Sequence, residues 1–196
     1  GERCFTTRLP TCSSMDLNDS NREKIALAKI LHLDDADPVS IQAAKWAKAA
    51  DVCVVFDGTW YKESLPDLLE FVDVAIVSDV LVQKWMPDMS PEIVVQRLYD
   101  FGVKIAVVTL GNQGCIAKYD QETLVFSAFP VDVIDTTGAG DAFCGAFASA
   151  LLRGKGSVDA LSWAQAAGAL ASTRHGAQPS MPSSEEIQTL ADSITV

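Results

Sequence analysis

One stretch constrains the fold of this chain most strongly, the run VDVIDTTGAGDAFCGAF at residues 131–147. Its β-branched beginning, residues 131–134, predicts extended chain, and the small residues from position 139 onward predict a helix. Between the two, Gly138, Ala139 and Gly140 leave the backbone almost bare. The first N–H groups of a helix have no partner inside it and lie at the positive end of its dipole, so they can bind an anion.

Asp141 follows directly and places a carboxylate in the first turn of the predicted helix. An anion site beside a potential general base is an arrangement suited to phosphoryl transfer. The simpler alternative is an ordinary strand, turn and helix with a capping aspartate. The local pattern by itself leaves both interpretations open.

The rest of the chain alternates apolar runs with helical patterns. Four apolar runs are typical of parallel strands that are covered on both faces, at residues 30–33, 51–56, 72–77 and 103–109. Helices are expected at residues 39–50, 65–71, 91–101, 158–173 and 183–193, and an antiparallel strand pair at 115–119 and 124–128. Residues 9–21 are predicted to form a loop. This alternation predicts an α/β fold, doubly wound in three α/β/α layers with a mainly parallel sheet.

Composition argues against several classes of protein. The 48% share of apolar residues is enough for a substantial core. A formal charge of −11 argues against nucleic acid or an anionic membrane as a partner. Five cysteines without C-x-x-C spacing indicate reduced thiols. The longest apolar run, residues 142–152, is well short of the roughly 20 residues that a membrane-spanning helix needs. A cytoplasmic protein is therefore expected, unless a targeting segment precedes this sequence.

The run D-T-T-G-A-G-D-A-F-x-G-A-F-A at residues 135–148 resembles the signature of the ribokinase-like (pfkB) carbohydrate kinases. The resemblance implies an ATP-dependent phosphotransferase that acts on a hydroxyl of a sugar or sugar-like acceptor. In that family the amides that match Gly138, Ala139 and Gly140 form an anion hole for the transferred phosphate. The aspartate that matches Asp141 is the catalytic base.

The same resemblance implies how the chain is organised. The opening run GERCFTTR resembles the last lid strand of the family, so residues 1–9 are expected to form a lid strand and residues 30–196 the nucleotide-binding core. Residues 1–196 would then be the C-terminal part of a single kinase domain. Lid strands of the family often pair between subunits, so a homodimer through these strands is one expectation.

A nucleotide site is implied by two further segments. The run T-L-G-N-Q-G after the strand at 103–109 resembles the family's nucleotide-binding turn, which assigns Thr109, Gly111 and Gly114 to the ATP phosphates. The resemblance places adenine beside the helix at 158–173, with Gln165 as its polar contact. Mg²⁺ is expected to bridge the phosphates.

The run T-R-H-G-A-Q-P-S at residues 173–180 resembles the loop with which ribokinases bind an activating monovalent cation. Carbonyl and carboxylate oxygens suit a hard cation of low charge, so K⁺ is the expected ion. The implied ligands are the Asp135 side chain, Ser180, and the backbone oxygens of Thr137, Ala171, Arg174 and Gly176.

The chain departs from the family at one place. Many members carry an N-x-x-E run after the strand that corresponds to residues 72–77, where it influences Mg²⁺ and phosphate binding. Here Ser78 replaces the asparagine and Leu81 the glutamate. The departure motivates an alternative, a nucleotide-binding relative that does not catalyse.

Asp57 lies at the end of another strand. It is either a residue near the substrate or metal, or a turn residue. A dinucleotide-binding Rossmann domain ranks last, because no G-x-G-x-x-G run opens an early βαβ unit.

Overall fold

The computed structural model describes residues 17–193, which form one six-stranded sheet in the order β1 to β6. Strands β1 to β4 are parallel, and β5 and β6 continue the sheet in antiparallel orientation. The strands are β1 Ile30–Leu33, β2 Cys53–Gly58, β3 Val74–Ser78, β4 Ile105–Thr109, β5 Cys115–Tyr119 and β6 Glu122–Phe126. The predicted mainly parallel α/β architecture is confirmed. The lid strand predicted for residues 1–9 lies outside the described residues.

Helices cover both faces of the sheet. On one face lie α1 Asp19–Ala26, α2 Pro38–Ala49, α3 Leu65–Leu69, α4 Asp79–Trp85 and α5 Pro91–Asp100. On the other lie α6 Ala139–Leu152, α7 Ser157–Ala171 and α8 Ser184–Asp192. Successive β2 residues point to opposite faces, so Val54 and Phe56 join the first core and Val55 the second. Within residues 17–193 each helix is too short or too polar to span a bilayer.

Local sequence signals explain where most helices begin. Asp37 accepts the Ser40 amide with Pro38 at the first helical position, which starts α2. Ser183 and Glu186 form a reciprocal capping box at the start of α8. These signals account for the agreement between predicted and observed helices at those two places.

Three expectations need correction, and one further helix is present. The loop predicted for residues 9–21 ends earlier, because a capping box between Asn18 and Asn21 starts α1. Strand β2 extends to Gly58, two residues beyond the predicted end. Helix α4 was not predicted. Residues 131–134 form no strand, because the amides of Ile134 and its successor both donate to the carbonyl of Ser172 instead of to a neighbouring strand.

A buried carboxylate joins the layers at the sheet edge opposite the carboxyl ends of the parallel strands. Asp73 lies just before β3, and its Oδ1 contacts the Lys48 Nζ at 2.8 Å and the Lys104 Nζ at 2.9 Å. Its Oδ2 accepts the Val54 amide at 3.0 Å. Burial alone would raise the pKa of Asp73, but the hydrogen bonds from Lys48, Val54 and Lys104 outweigh it and lower the pKa below its usual value.

Replacing this carboxylate tests its contribution to stability. We expect Asp73→Asn to lower the free energy of unfolding by about 1–2 kcal/mol at pH 7, since both lysines can turn to solvent but the charged pairing is lost. A carboxyl group whose pKa is lowered by folding stabilises the folded state at pH values above its unfolded-state pKa, which is near 4. This stabilisation is lost as the pH falls through the folded-state pKa. Urea denaturation should therefore show that the difference in free energy of unfolding between the unmodified protein and Asp73→Asn becomes smaller below about pH 4. Asp67→Asn, at an exposed position in α3, is the matched control; an equal effect there would contradict the assignment.

Candidate active site

The carboxyl ends of the parallel strands and the N-terminus of α6 meet at one edge of the sheet. In open α/β sheets this edge binds ligands. Gly138 precedes α6 in a left-handed conformation, with φ of +81°, and is buried. A Cβ added there would lie 3.0 Å from both Cα and Cβ of Ala177 and 3.2 Å from Cε of Met181. Glycine is required at this position for its backbone conformation and for its size.

Helix α6 is held close to helix α7 at this end. A Cβ added to Gly168 of α7 would lie 3.2 Å from the carbonyl oxygen of Ala139, the first residue of α6. Gly140 has open space around it, with no atom within 4 Å of an added Cβ. Asp141 is exposed in the first turn of α6. The segment therefore combines open space at Gly140 with an accessible carboxylate, which leaves room for an anionic ligand. The Ala139 amide donates to the Thr136 carbonyl at 3.2 Å.

A second carboxylate faces the same helix. Asp57 shares the β2 face with Val55, which packs in the core formed by α6 and α7. The buried thiol of Cys144 lies beside the Asp57 carboxylate. Burial raises the pKa of Asp57; the thiol opposes this shift, and the nearby charge of Asp141 adds to it. Sequence reasoning missed Cys144, although its position three residues after Asp141 places both on one side of α6.

The residues assigned to the nucleotide converge on the end of β6. Thr109 ends β4, and Gly111 begins a 3₁₀ turn over Gly111–Gln113. Gly114 has φ of +96°, and a Cβ there would lie 1.9 Å from the carbonyl oxygen of Phe126, so no side chain fits. Gln165 is buried, and its Nε2 donates to the same Phe126 carbonyl at 3.3 Å and to that of Ser127 at 3.4 Å. The adenine contact assigned to Gln165 stays a prediction.

The residues assigned to the monovalent cation lie around one loop, here called the cation loop, residues 171–180. Asp135 joins it to the start of α6: Oδ2 accepts the Gly176 amide and Oδ1 the Thr137 amide, each at 2.9 Å. These hydrogen bonds, led by that from Gly176, lower the pKa of Asp135 to about 2. Ser180 is buried, and its Oγ donates to the carbonyl of Ala177 at 2.8 Å.

The carbonyl oxygens of this region differ in their partners. That of Ser172 accepts two backbone amides. Within residues 17–193, no donor hydrogen-bonds to the four carbonyls assigned as cation ligands, those of Thr137, Ala171, Arg174 and Gly176. Unpaired carbonyl oxygens near an ionised carboxylate fit a cation such as K⁺.

The departure at Ser78 and Leu81 has a structural explanation. Ser78 caps α4, because its Oγ accepts the Leu81 amide at 3.2 Å. Leu81 is fully buried, and its Cδ1 would lie 2.9 Å from a Cβ added to Gly58. This position therefore contributes no carboxylate to the site. Among residues 17–193 no three His, Cys, Asp or Glu side chains are arranged to hold a metal by themselves.

Fold and site together define a class of protein: an α/β protein whose ligand-binding sheet edge combines a bare helix N-terminus with an exposed carboxylate. The sequence matches the family model for pfkB family carbohydrate kinases over residues 3–184. The chain belongs to this family.

Two curated relatives illustrate the match. Ribokinase of Staphylococcus aureus (strain COL) is 30% identical over 164 residues, which cover 81% of this chain and 54% of that protein. Fructokinase-1 of Zea mays is 36% identical over 221 aligned positions, which cover 98% of this chain and 68% of that protein. The chain spans about half the length of the ribokinases it matches.

Solved structures agree with the fold. Arabidopsis thaliana ribokinase complexed with ribose and ATP is 30% identical, with a TM-score of 0.78, and the match covers 89% of this chain and 59% of that one. A ribokinase II from E. coli in complex with ATP and Mg²⁺ is 28% identical, with a TM-score of 0.78 and coverage of 88% and 61%.

The two glycines at the start of α6 provide a matched test of the site's construction. Gly138→Ala should lower the free energy of unfolding by about 2 kcal/mol, because its left-handed backbone and the contact with Ala177 both disfavour a side chain. Gly140→Ala should leave it unchanged or slightly raised, since the space is open and alanine favours helix. Thermal and urea denaturation measure both; equal destabilisation would contradict the geometry.

Proposed function

We propose that this chain carries the nucleotide-binding and catalytic residues of an ATP-dependent sugar kinase. The observation that supports this most is the start of α6, where Asp141 is exposed beside the small residues 138–140 at the carboxyl edge of the sheet. The amides of Gly138 and Gly140 form no hydrogen bond within residues 17–193, and that of Ala139 donates to the Thr136 carbonyl at 3.2 Å. Membership of the pfkB family agrees with this reaction class.

In the proposed reaction the Asp141 carboxylate accepts the proton of an acceptor hydroxyl. The hydroxyl oxygen then forms a bond to the γ-phosphorus of ATP, while the bond from that phosphorus to the bridging oxygen breaks and ADP leaves. The amides of Gly138, Ala139 and Gly140 donate to the charged oxygens of the transferred group. The Ala139 amide must leave the Thr136 carbonyl to do so, whereas the packing of α6 on α7 fixes the direction of the helix start and keeps the remaining reorganisation small.

Thr109, Gly111 and Gly114 are proposed to contact the ATP phosphates, and Gln165 to lie on the adenine side. Mg²⁺ would supply charge neutralisation between the phosphates, and it commonly uses only one or two protein carboxylates. Asp57 is proposed as one such carboxylate, since Leu81 is buried and offers no oxygen. K⁺ would be held by the Asp135 side chain, Ser180 and the backbone oxygens of Thr137, Ala171, Arg174 and Gly176.

The acceptor is proposed to be a sugar or a sugar-like alcohol. Ribokinases and fructokinases both occur among the relatives, so a pentose and a ketohexose are the first acceptors to test. A homodimer through lid strands at residues 1–9 and a cytoplasmic location stay proposals that the described residues do not address.

A non-catalytic nucleotide-binding role is the second candidate. The burial of Leu81 and the capping role of Ser78 favour it, because the usual metal-influencing side chains are replaced. The retained Asp141 and glycines argue for catalysis. Measured ATP affinity without turnover on any acceptor would favour the second candidate.

Replacing the proposed base discriminates between the two. In the full-length protein, with Mg²⁺, K⁺ and a panel of sugars and nucleosides, Asp141→Asn should lower kcat by about 10²–10⁴ while ATP affinity changes little. Asp159→Asn is the matched control, since Asp159 is likewise an exposed aspartate in the first turn of a helix. A fully active Asp141→Asn protein would overturn the assignment of the base.

A further inference from the structure

The beginning of α8 does more than cap a helix. Glu186 completes the capping box with one carboxylate oxygen, since Oε2 accepts the Ser183 amide at 2.8 Å. Its other oxygen, Oε1, forms an ion pair with Nη2 of Arg174. One carboxylate therefore joins the rigid start of α8 to a residue of the cation loop. Hydrogen bonds to Ser183 and Arg174 lower the pKa of Glu186 to about 2, so it stays charged over the physiological range.

Arg174 is placed where a side-chain anchor affects the loop's backbone. Its carbonyl oxygen is one of the unpaired oxygens assigned to the cation, and Gly176 two residues later donates its amide to Asp135. From Arg174 to Ser180, the other hydrogen bonds formed by the described residues are the Ser180 hydroxyl to Ala177 and a weaker Met181 amide to Gln178. After Ala171, which ends α7, the loop has no regular secondary structure of its own. Besides the packing of Ala177 against Gly138, the loop is held by polar contacts with Asp135 at one side and with Glu186 at the other.

We infer that the Arg174–Glu186 pair is a latch that positions the carbonyl oxygens of the cation loop for a monovalent cation. The inference deepens the proposed function and rests on it. Glu186 is a positioning residue: it holds Arg174 and makes no contact with ATP or acceptor in the proposed reaction. Coupling of this kind raises cation affinity because the loop then loses less conformational freedom when the ion binds.

Glu186→Gln removes the charge and keeps an oxygen that can accept the Ser183 amide. The neighbouring Glu185→Gln is the matched control: it removes an equal charge from the same helical turn, and the Glu185 side chain forms no ion pair within residues 17–193. Both variants change the charge near the helix dipole alike. A difference between them therefore reports the contact with Arg174.

The readout is the melting temperature of the full-length protein titrated with KCl, without ATP or sugar, at constant ionic strength set with tetramethylammonium chloride. K⁺ binding to the folded state raises the melting temperature, and the titration gives the half-saturating K⁺ concentration. We expect that concentration to rise about threefold to fivefold in Glu186→Gln, the range open to a half-exposed ion pair. Glu185→Gln should match the unmodified protein.

Two further arms make the test decisive. Arg174→Gln is a second single variant that removes the ion pair. The double variant Arg174→Gln with Glu186→Gln should have a half-saturating K⁺ concentration no higher than that of the more affected single variant, because each substitution already removes the same pair. In turnover assays, Glu186→Gln should recover the unmodified kcat at saturating K⁺. Equal K⁺ dependence in Glu186→Gln and Glu185→Gln would overturn the latch, and so would a protein that turns over ATP and shows no K⁺ response. Failure of the kinase proposal is separate: it would appear as a normal K⁺ titration without turnover on any acceptor.

Discussion

The site depends on the close packing of α6 against α7. Gly168 lets the backbone of α7 approach the carbonyl of Ala139, so the first turn of α6 is positioned by direct helix contact. Behind it, Phe143 and Phe147 are buried in the core that α6 and α7 share with the sheet. Interiors of this density are stiff, so the amides at the start of α6 have a fixed direction.

The small residues serve two purposes at once. They leave the backbone at the helix start without large side chains around it, and they allow the two helices to approach. The cation loop follows the end of α7, so the same packing also places Ser172, whose carbonyl accepts the amides of Ile134 and Asp135. The start of α6, Asp141 and the cation loop are thus parts of one packed unit, and a change in the α6–α7 contact would disturb all three.

Sequence patterns predicted the sheet and most helices because parallel strands, covered on both faces, need continuous apolar runs. They also predicted the start of α6, since few residues other than glycine tolerate that backbone. They failed where partners lie far apart in the chain. Nothing near Asp73 indicates Lys48 or Lys104, and nothing near Arg174 indicates Glu186. Residues 131–134 are predicted to be extended because β-branched side chains favour extended chain. The sequence did not indicate their hydrogen-bond acceptor, Ser172, which belongs to a later helix end.

Charge is the remaining constraint on any phosphate site here. The chain carries a formal charge of −11, but charges beyond a Debye length of about 8 Å are largely screened, so local groups decide. Locally, the raised pKa of Asp57 reflects burial and repulsion from Asp141 and Asp34. Adding a triphosphate to these carboxylates would increase the repulsion unless cations lay between them. The buried Leu81 offers no oxygen for such an ion. In the proposed kinase, phosphate charge would therefore be met by the amides of α6 together with ions at Asp57 and the cation loop, and nucleotide binding would depend on both the cations and the helix packing.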